Sequence, residues 1–322
     1  MVKTALISGI YGQDAYYLKD ELLNNNYKII GLTRKIKKKQ KKQKNIILIE
    51  TNYSEDNLKK IFLENHIDVV FHLCGQSKVG LSWLHINETI NSQGLITLNF
   101  LNVIQKFSNK TKFINSSSAE IFKSDNKKLI NEDSNFYAIN PYGVAQLFSF
   151  NLCKIFREKY NLFISSTILF PHESPRRNEL FVVKKIISSL FRISKGSREK
   201  LSLGNVDVIR DWGYAPEYIK AMIMVSEADT PDDFCICTSV GMSVREILTY
   251  VSNHFNLNID TCVNFDNQLT RYYEYESVIG DHSKIKGKLG WSPKYFGNKL
   301  IKQLIDDEIK EHENKEFNFN ID

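Results

Sequence analysis

Thr4-Ala5-Leu6-Ile7-Ser8-Gly9-Ile10-Tyr11-Gly12-Gln13-Asp14-Ala15 opens the chain with an apolar run, two glycines three apart, and a small residue three further on. The apolar run reads as a short strand. From Gln13 onward Ala15, Leu18 and Leu22 recur at helical spacing, so a helix follows the turn. Glycines at such a turn let the backbone approach a pyrophosphate. The helix N-terminus behind them offers amides and a favourable dipole, with Gln13 and Asp14 in its first turn. The third position, Ala15, needs only to be small for helix and strand to pack. A glycine-rich turn alone is weak evidence. Set at Gly9 and Gly12, between a strand and a helix, it points to dinucleotide binding.

The pattern continues outward. Short β-rich runs at 4–8, 27–32, 46–49, 69–73, 112–116 and 163–169 alternate with helical stretches at 13–25, 57–65, 89–107 and 142–160. That alternation predicts an α/β fold with a doubly wound parallel sheet of the Rossmann type. Beyond Pro171 helices dominate, with short strands expected near 201–203 and 234–238. We read residues 1–170 as the dinucleotide-binding domain and 171–322 as mainly a smaller substrate lobe, with the chain crossing between them. At 322 residues the chain can bury a large core in either arrangement.

Composition narrows the function. The net charge of +6 is local: residues 35–44 hold seven lysines and no acid, and removing them leaves −1. One basic segment is not a basic surface, so no nucleic-acid partner is expected. No apolar run is long enough to span a bilayer, and the start does not read as a signal peptide. Five scattered cysteines, an odd number, fit a reducing cytoplasm, and no zinc spacing accompanies them, so no metal site is expected.

The end of the second strand selects the cofactor. NAD sites place an acid there for the ribose hydroxyl, and NADP sites an arginine for the 2′-phosphate. The chain reads Gly31-Leu32-Thr33-Arg34-Lys35, with no acid until Glu50, so Arg34 points to NADP rather than NAD.

A proton-transfer set lies further on. Ser116-Ser117-Ser118-Ala119-Glu120 closes the apolar run from Lys112, at the end of a buried strand. Tyr142 follows Asn140-Pro141, where the proline would start a long helix. Ser118, Glu120 and Tyr142 are therefore the catalytic candidates. Dehydrogenases that use such a tyrosine usually carry a lysine four residues later, to lower its pKa. Here that position is Gln146. An ordinary tyrosine ionises near pH 10, so bringing it to about 7 takes roughly 4 kcal/mol, which a neutral amide does not supply.

Together these residues resemble the GDP-mannose 4,6-dehydratases, within the extended short-chain dehydrogenase/reductase superfamily. The likeness rests on Gly12-Gln13-Asp14, Leu73-Cys74-Gly75-Gln76-Ser77, Asn140-Pro141-Tyr142, His172-Glu173-Ser174-Pro175-Arg176-Arg177, Leu203-Gly204-Asn205, Arg210-Asp211-Trp212-Gly213, Gly280-Asp281 and Lys288-Leu289-Gly290-Trp291. The resemblance implies a lyase that converts a GDP-linked hexose or heptose to its 4-keto-6-deoxy form by internal hydride transfer. It adds Asn52, Tyr53, Leu73, Gly75, Gln146 and His172 to the cofactor site. It gives Ser77, Lys185, Asn205, Arg210, Arg271 and Glu274, with Glu120, to the sugar nucleotide, and implies a homodimer or homotetramer. Pro171 departs from the family's asparagine. Two alternatives stay open: a C4 dehydrogenase, reductase or epimerase, and a weakened nucleotide-sugar-binding paralogue.

Overall fold

The computed structural model describes residues 2–37, 44–124, 128–270 and 273–319. Six strands alternate with helices in the first half: β1 (Thr4–Ser8), β2 (Lys28–Thr33), β3 (Ile46–Glu50), β4 (Val69–His72), β5 (Lys112–Ser118) and β6 (Ile164–Leu169). All pair in parallel, in the order β3-β2-β1-β4-β5-β6. β4 and β6, covered on both faces, are buried along their whole length, and the polar residues they carry, His72 and Ser165-Ser166-Thr167, are small or hydrogen-bonded. The sequence-derived limits match β1 and differ from the other five by one or two residues.

The later chain contributes β7 (His172–Glu173), β8 (Leu201–Leu203), β9 (Ile209–Asp211), β10 (Gly213–Tyr214), β11 (Phe234–Ile236), β12 (Gly241–Ser243), β13 (Val263–Phe265) and β14 (Ser277–Val278). Strand β11 joins the main sheet as a seventh strand, parallel to β6. The others form three small sheets: β10-β7, β12-β9-β14 and β13-β8.

Helices α1 (Gln13–Asn24), α2 (Glu55–Glu64), α3 (Ile86–Ile90), α4 (Ile96–Phe107) and α5 (Pro141–Tyr160) flank the sheet. A π turn over Asn91–Leu95 joins α3 to α4 in one helical rod. Helix α5 begins where its sequence says it must. The Asn140 side chain accepts from Gly143 N at 2.8 Å, and Pro141 occupies the first turn. It ends on Asn161 in the left-handed conformation, with Arg157 and Lys159 in the last turn beside the negative dipole end. Beyond it come α6 (Val182–Ser194), α7 (Ala215–Glu227), α8 (Val244–His254), α9 (Ile259–Cys262), α10 (Ser283–Leu289) and α11 (Gly297–Phe319).

Two cores lie on opposite faces of the sheet. On one face Ala15, Leu18 and Leu22 of α1 meet Ile219 and Met222 of α7. On the other Leu58 and Phe62 of α2 meet Phe100, Leu101 and Ile104 of α4. A third core is built wholly from later residues, including Val183, Ile187, Trp212, Ile247, Leu300 and Ile305. The chain past Pro171 thus returns to the sheet through α7, β11 and α10, whose Ile285 joins the first of these cores with Trp291, while α6, α8 and α11 pack on one another.

Asp211 joins these parts. Its fully buried carboxylate accepts from Thr238 N at 2.8 Å and Thr238 Oγ1 at 2.5 Å, and from Ser239 N at 2.8 Å and Gly280 N at 3.2 Å. The loop after β11 and the segment after β14 are both fastened to β9 in this way. Asp211→Ala strands these donors, each worth about 1–3 kcal/mol when left unmet. A melting temperature several degrees lower is expected by calorimetry, and an unchanged one would contradict this role.

Candidate active site

The turn after β1 and the loop after β4 meet backbone to backbone. Gly9 has φ +72°, and a Cβ there would stand 2.9 Å from the Cys74 Cα, so a side chain fits neither the conformation nor the space. Gly12 caps α1 without a side chain, leaving its first amides available to a ligand. Beside them opens a cleft of about 470 Å³, lined by Gly9, Gly12, Thr33, Arg34, Tyr53, Leu73, Gly75, Gln76 and Ser92, a size and shape suited to a dinucleotide. Arg34 stands exposed on its wall. The buried Tyr53 hydroxyl accepts from Gly9 N at 3.4 Å, with burial pushing the phenol's pKa well up. Asn52 is engaged locally, accepting from Ser54 N and Asn57 Nδ2, each at 2.9 Å.

Gln13, Asp14 and His172, assigned to the cofactor from the sequence, spend their polar atoms on one another. Gln13 Nε2 donates to the His172 carbonyl at 3.4 Å, and Ser174 Oγ donates to Gln13 Oε1 at 2.9 Å. His172 Nε2 meets Asp14 Oδ1 at 3.1 Å, while Nδ1 bonds the Phe170 carbonyl at 2.8 Å. The first turn of α1 is thereby tied to the segment that follows β6. Burial pushes the Asp14 carboxyl up, but the His172 charge and hydrogen bond outweigh it and hold the pKa at about 2. Burial pushes His172 down, and Asp14 more than restores it, raising its pKa above 6.5.

The three catalytic candidates gather at the carboxyl end of β5 and the start of α5. The Ser118 hydroxyl accepts from Glu120 N at 3.3 Å and lies near enough to the Tyr142 phenol to favour its ionised form. Glu120 Oε2 accepts from Asn140 Nδ2 at 2.8 Å, so Asn140 both caps α5 and orients the carboxylate. Gln146 Nε2 donates to the Tyr142 hydroxyl at 3.3 Å. Burial raises the Tyr142 pKa above 10. Glu120 adds to this, and the bonds from Ser118 and Gln146 and the Arg177 charge oppose it. Arg177 lies over the Phe181 ring at 3.6 Å, with Nε 3.8 Å from Glu173 Oε1. Sequence reasoning missed Asn140 and Arg177 as site residues, although both lie inside motifs it quoted.

The substrate candidates are less gathered. Arg210, buried in β9, pairs with Glu274 at 3.1 Å and donates to its own Ile209 carbonyl at 2.8 Å. Lys185 on α6 donates to the Ser202 carbonyl of β8 at 2.6 Å, so its ammonium is engaged in joining those elements. Asn205 is exposed and accepts from Asp207 N at 3.0 Å. Ser77 is exposed in the loop after β4. Arg271 lies outside the described residues.

The family model for GDP-mannose 4,6 dehydratase matches residues 6–304. The chain belongs to this family. Family membership places it among the GDP-sugar 4,6-dehydratases, enzymes with a nicotinamide cofactor. It is 29% identical over 352 residues to the GDP-mannose 4,6-dehydratase of Vibrio cholerae, covering 96% of this chain and 95% of that one. With GDP-mannose 4,6 dehydratase 2 of Arabidopsis thaliana it shares 33% identity, over 96% of this chain and 87% of the other. The fold matches the NAD complex of dTDP-glucose 4,6-dehydratase from Bacillus anthracis with a TM-score of 0.85 at 14% identity, over 97% and 98% of the two chains. It also matches RMD from Pseudomonas aeruginosa, complexed with NADPH, with a TM-score of 0.77 at 19% identity, over 95% and 99%.

The Asp14–His172 pair carries a pH signature. Asp14, with its pKa depressed, contributes stability above about pH 4 that is lost as pH falls through about 2. His172, raised above 6.5, contributes stability below that pH which is lost as pH rises through its folded value. In urea unfolding, the advantage of the wild type over Asp14→Asn should be full at pH 6 and shrink through pH 6.5 and above. A gap that stays constant or widens would contradict the pairing.

Proposed function

We propose that the protein removes water across C5–C6 of a GDP-linked hexose or heptose, with NADP as cofactor, leaving a 4-keto-6-deoxy sugar. The observation that carries this reading is the convergence of Ser118, Glu120 and Tyr142 at one strand end, in a member of the GDP-mannose 4,6-dehydratase family. Gly9, Gly12, Gly75 and Arg34 would hold the dinucleotide along the cleft. When bound, the nicotinamide supplies hydride acceptance from C4 and hydride return to C6.

The chain's own groups manage the protons. Tyr142 takes the proton of the sugar's 4-hydroxyl, which Ser118 orients by hydrogen bonding the same oxygen. The 4-keto group so formed acidifies C5, and Glu120, steered by Asn140, removes that proton. Glu120 then protonates the departing 6-hydroxyl, which leaves as water; when hydride returns to C6, C5 takes up the proton that Tyr142 had accepted, so no proton is left over at the end of the cycle. Gln146 adds no charge. The Arg177 guanidinium provides positive potential at the phenol. Arg210 and Arg271 would take the diphosphate, since guanidinium forks match phosphate oxygens, with Glu274 taking a ribose hydroxyl. Ser77, Lys185 and Asn205 would complete the sugar-nucleotide site, in a lobe formed mainly by residues after Pro171.

Two further readings belong to this proposal. The five unbridged cysteines, four of them buried, suit a cytoplasmic enzyme. The exposed Val144, Phe148 and Ile155 on α5, with Trp83 and Leu84 nearby in sequence to α3, supply an apolar surface for a homodimer or homotetramer.

Incubation with GDP-mannose, or a GDP-heptose, and NADP⁺ should yield a sugar nucleotide lighter by one water by mass spectrometry. Loss of two hydrogens with stoichiometric NADPH would instead identify a C4 dehydrogenase. Binding without any mass change would identify a non-catalytic paralogue. Glu120→Gln should lower kcat by about 10³-fold while NADPH accumulates, because oxidation at C4 proceeds and elimination does not. Gln146→Lys should move the rate–pH profile to lower pH, and Arg34→Ala should weaken NADP⁺ binding while sparing NAD⁺. Equal losses for both nucleotides would overturn the NADP assignment.

A further inference from the structure

The residue in the usual lysine position does not act alone. Gln146 and Gln93 are both buried, with 4% and 8% of their surface exposed, so every polar atom on them needs a partner. Gln146 Nε2 donates to Gln93 Oε1 at 2.9 Å as well as to the Tyr142 hydroxyl at 3.3 Å. An amide nitrogen carries two hydrogens, and these two contacts use both. Gln93 Nε2 in turn donates to the Gln76 carbonyl at 2.7 Å, in the loop after β4. Donation therefore runs outward from the Gln146 amide in two directions, to the phenol and, through Gln93, to the backbone of that loop.

Two local features make room for it. Gln93 sits in the π turn over Asn91–Leu95, and such turns often re-aim a helix side chain at a functional site. Its amide occupies space that only glycine leaves open at position 75: a Cβ there would stand 2.3–2.4 Å from the Gln93 amide atoms.

We propose that Gln93 is a positioning residue for Tyr142: it fixes the Gln146 amide with its nitrogen toward the phenol oxygen, a neutral donor where a charged lysine would otherwise stand. Without Gln93 the Gln146 amide can turn over. Its carbonyl then faces the phenol, Tyr142 must donate rather than accept, and the protonated phenol is favoured. The proposal rests on Tyr142 being the acid–base group, but not on the identity of the substrate.

The test needs neither sugar nor cofactor. Tyr142 is replaced by difluorotyrosine, whose phenol ionises where proteins remain folded, and its midpoint is followed by fluorine NMR. Gln93→Met, close in shape but unable to hydrogen-bond in this way, should raise the midpoint by about one pH unit. In a Gln146→Lys background the same change should move it by less than about 0.3, because an ammonium donates in any rotation. An unmoved midpoint, or equal movement in both backgrounds, overturns the proposal. In the wild type both side-chain amide hydrogens of Gln146 should exchange slowly with D₂O. Fast exchange of either overturns it too, and this decides the matter if Gln93→Met does not fold. A shifted midpoint in a protein that dehydrates no GDP-sugar would retain the positioning role and discard the substrate reading.

Discussion

Seven strands pointing one way deliver every strand-to-helix loop to a single edge of the sheet. The turn after β1, the loop after β4 and the serine-rich end of β5 converge there because the parallel register leaves them nowhere else to go. A phosphate-binding turn and an acid–base set become neighbours without any direct sequence relation. Chemistry on this protein is first of all a matter of strand direction.

That edge still has to be closed over by the later chain, and two carboxylates fasten it. Asp14 grips His172 and so ties the first helix to the segment after β6. Asp211 collects donors from the loop after β11 and from the segment after β14. Both belong to motifs that mark the family, Gly-Gln-Asp and Arg-Asp-Trp-Gly. At least part of what makes those motifs recognisable is therefore mechanical. They hold the wall of the site.

The fold was largely legible because its signals are local. Short β-rich runs alternating with helical periodicity mark the parallel sheet, and Asn140-Pro141 declares the start of α5 through capping physics alone. The convergence of Ser118, Glu120 and Tyr142 was legible for the same reason, since strand end and helix start are both written in the sequence. Other features depended on distant partners. Nothing beside Asp14 announces its ion pair with His172, 158 residues away. The pairing of Arg210 with Glu274, 64 residues on, is likewise unannounced by either one's neighbours. Gln93 went unnoticed because a π turn shifts the helical phase that periodicity assumes. Strand β11 was expected as a strand, but its place in the main sheet follows from topology.

The late arrival of β11 also bears on how the chain can be made. During synthesis from the N-terminus, β6 is complete by residue 169, yet its outer neighbour emerges only at 234–236. For some sixty-five residues of elongation the nascent sheet presents an unpaired border of backbone donors and acceptors, the kind of edge that recruits stray strands from other chains. A ribosome-bound intermediate of this protein should therefore lean on holdase chaperones until that seventh strand docks. Cutting the gene at the apparent inter-lobe junction would make the vulnerability permanent.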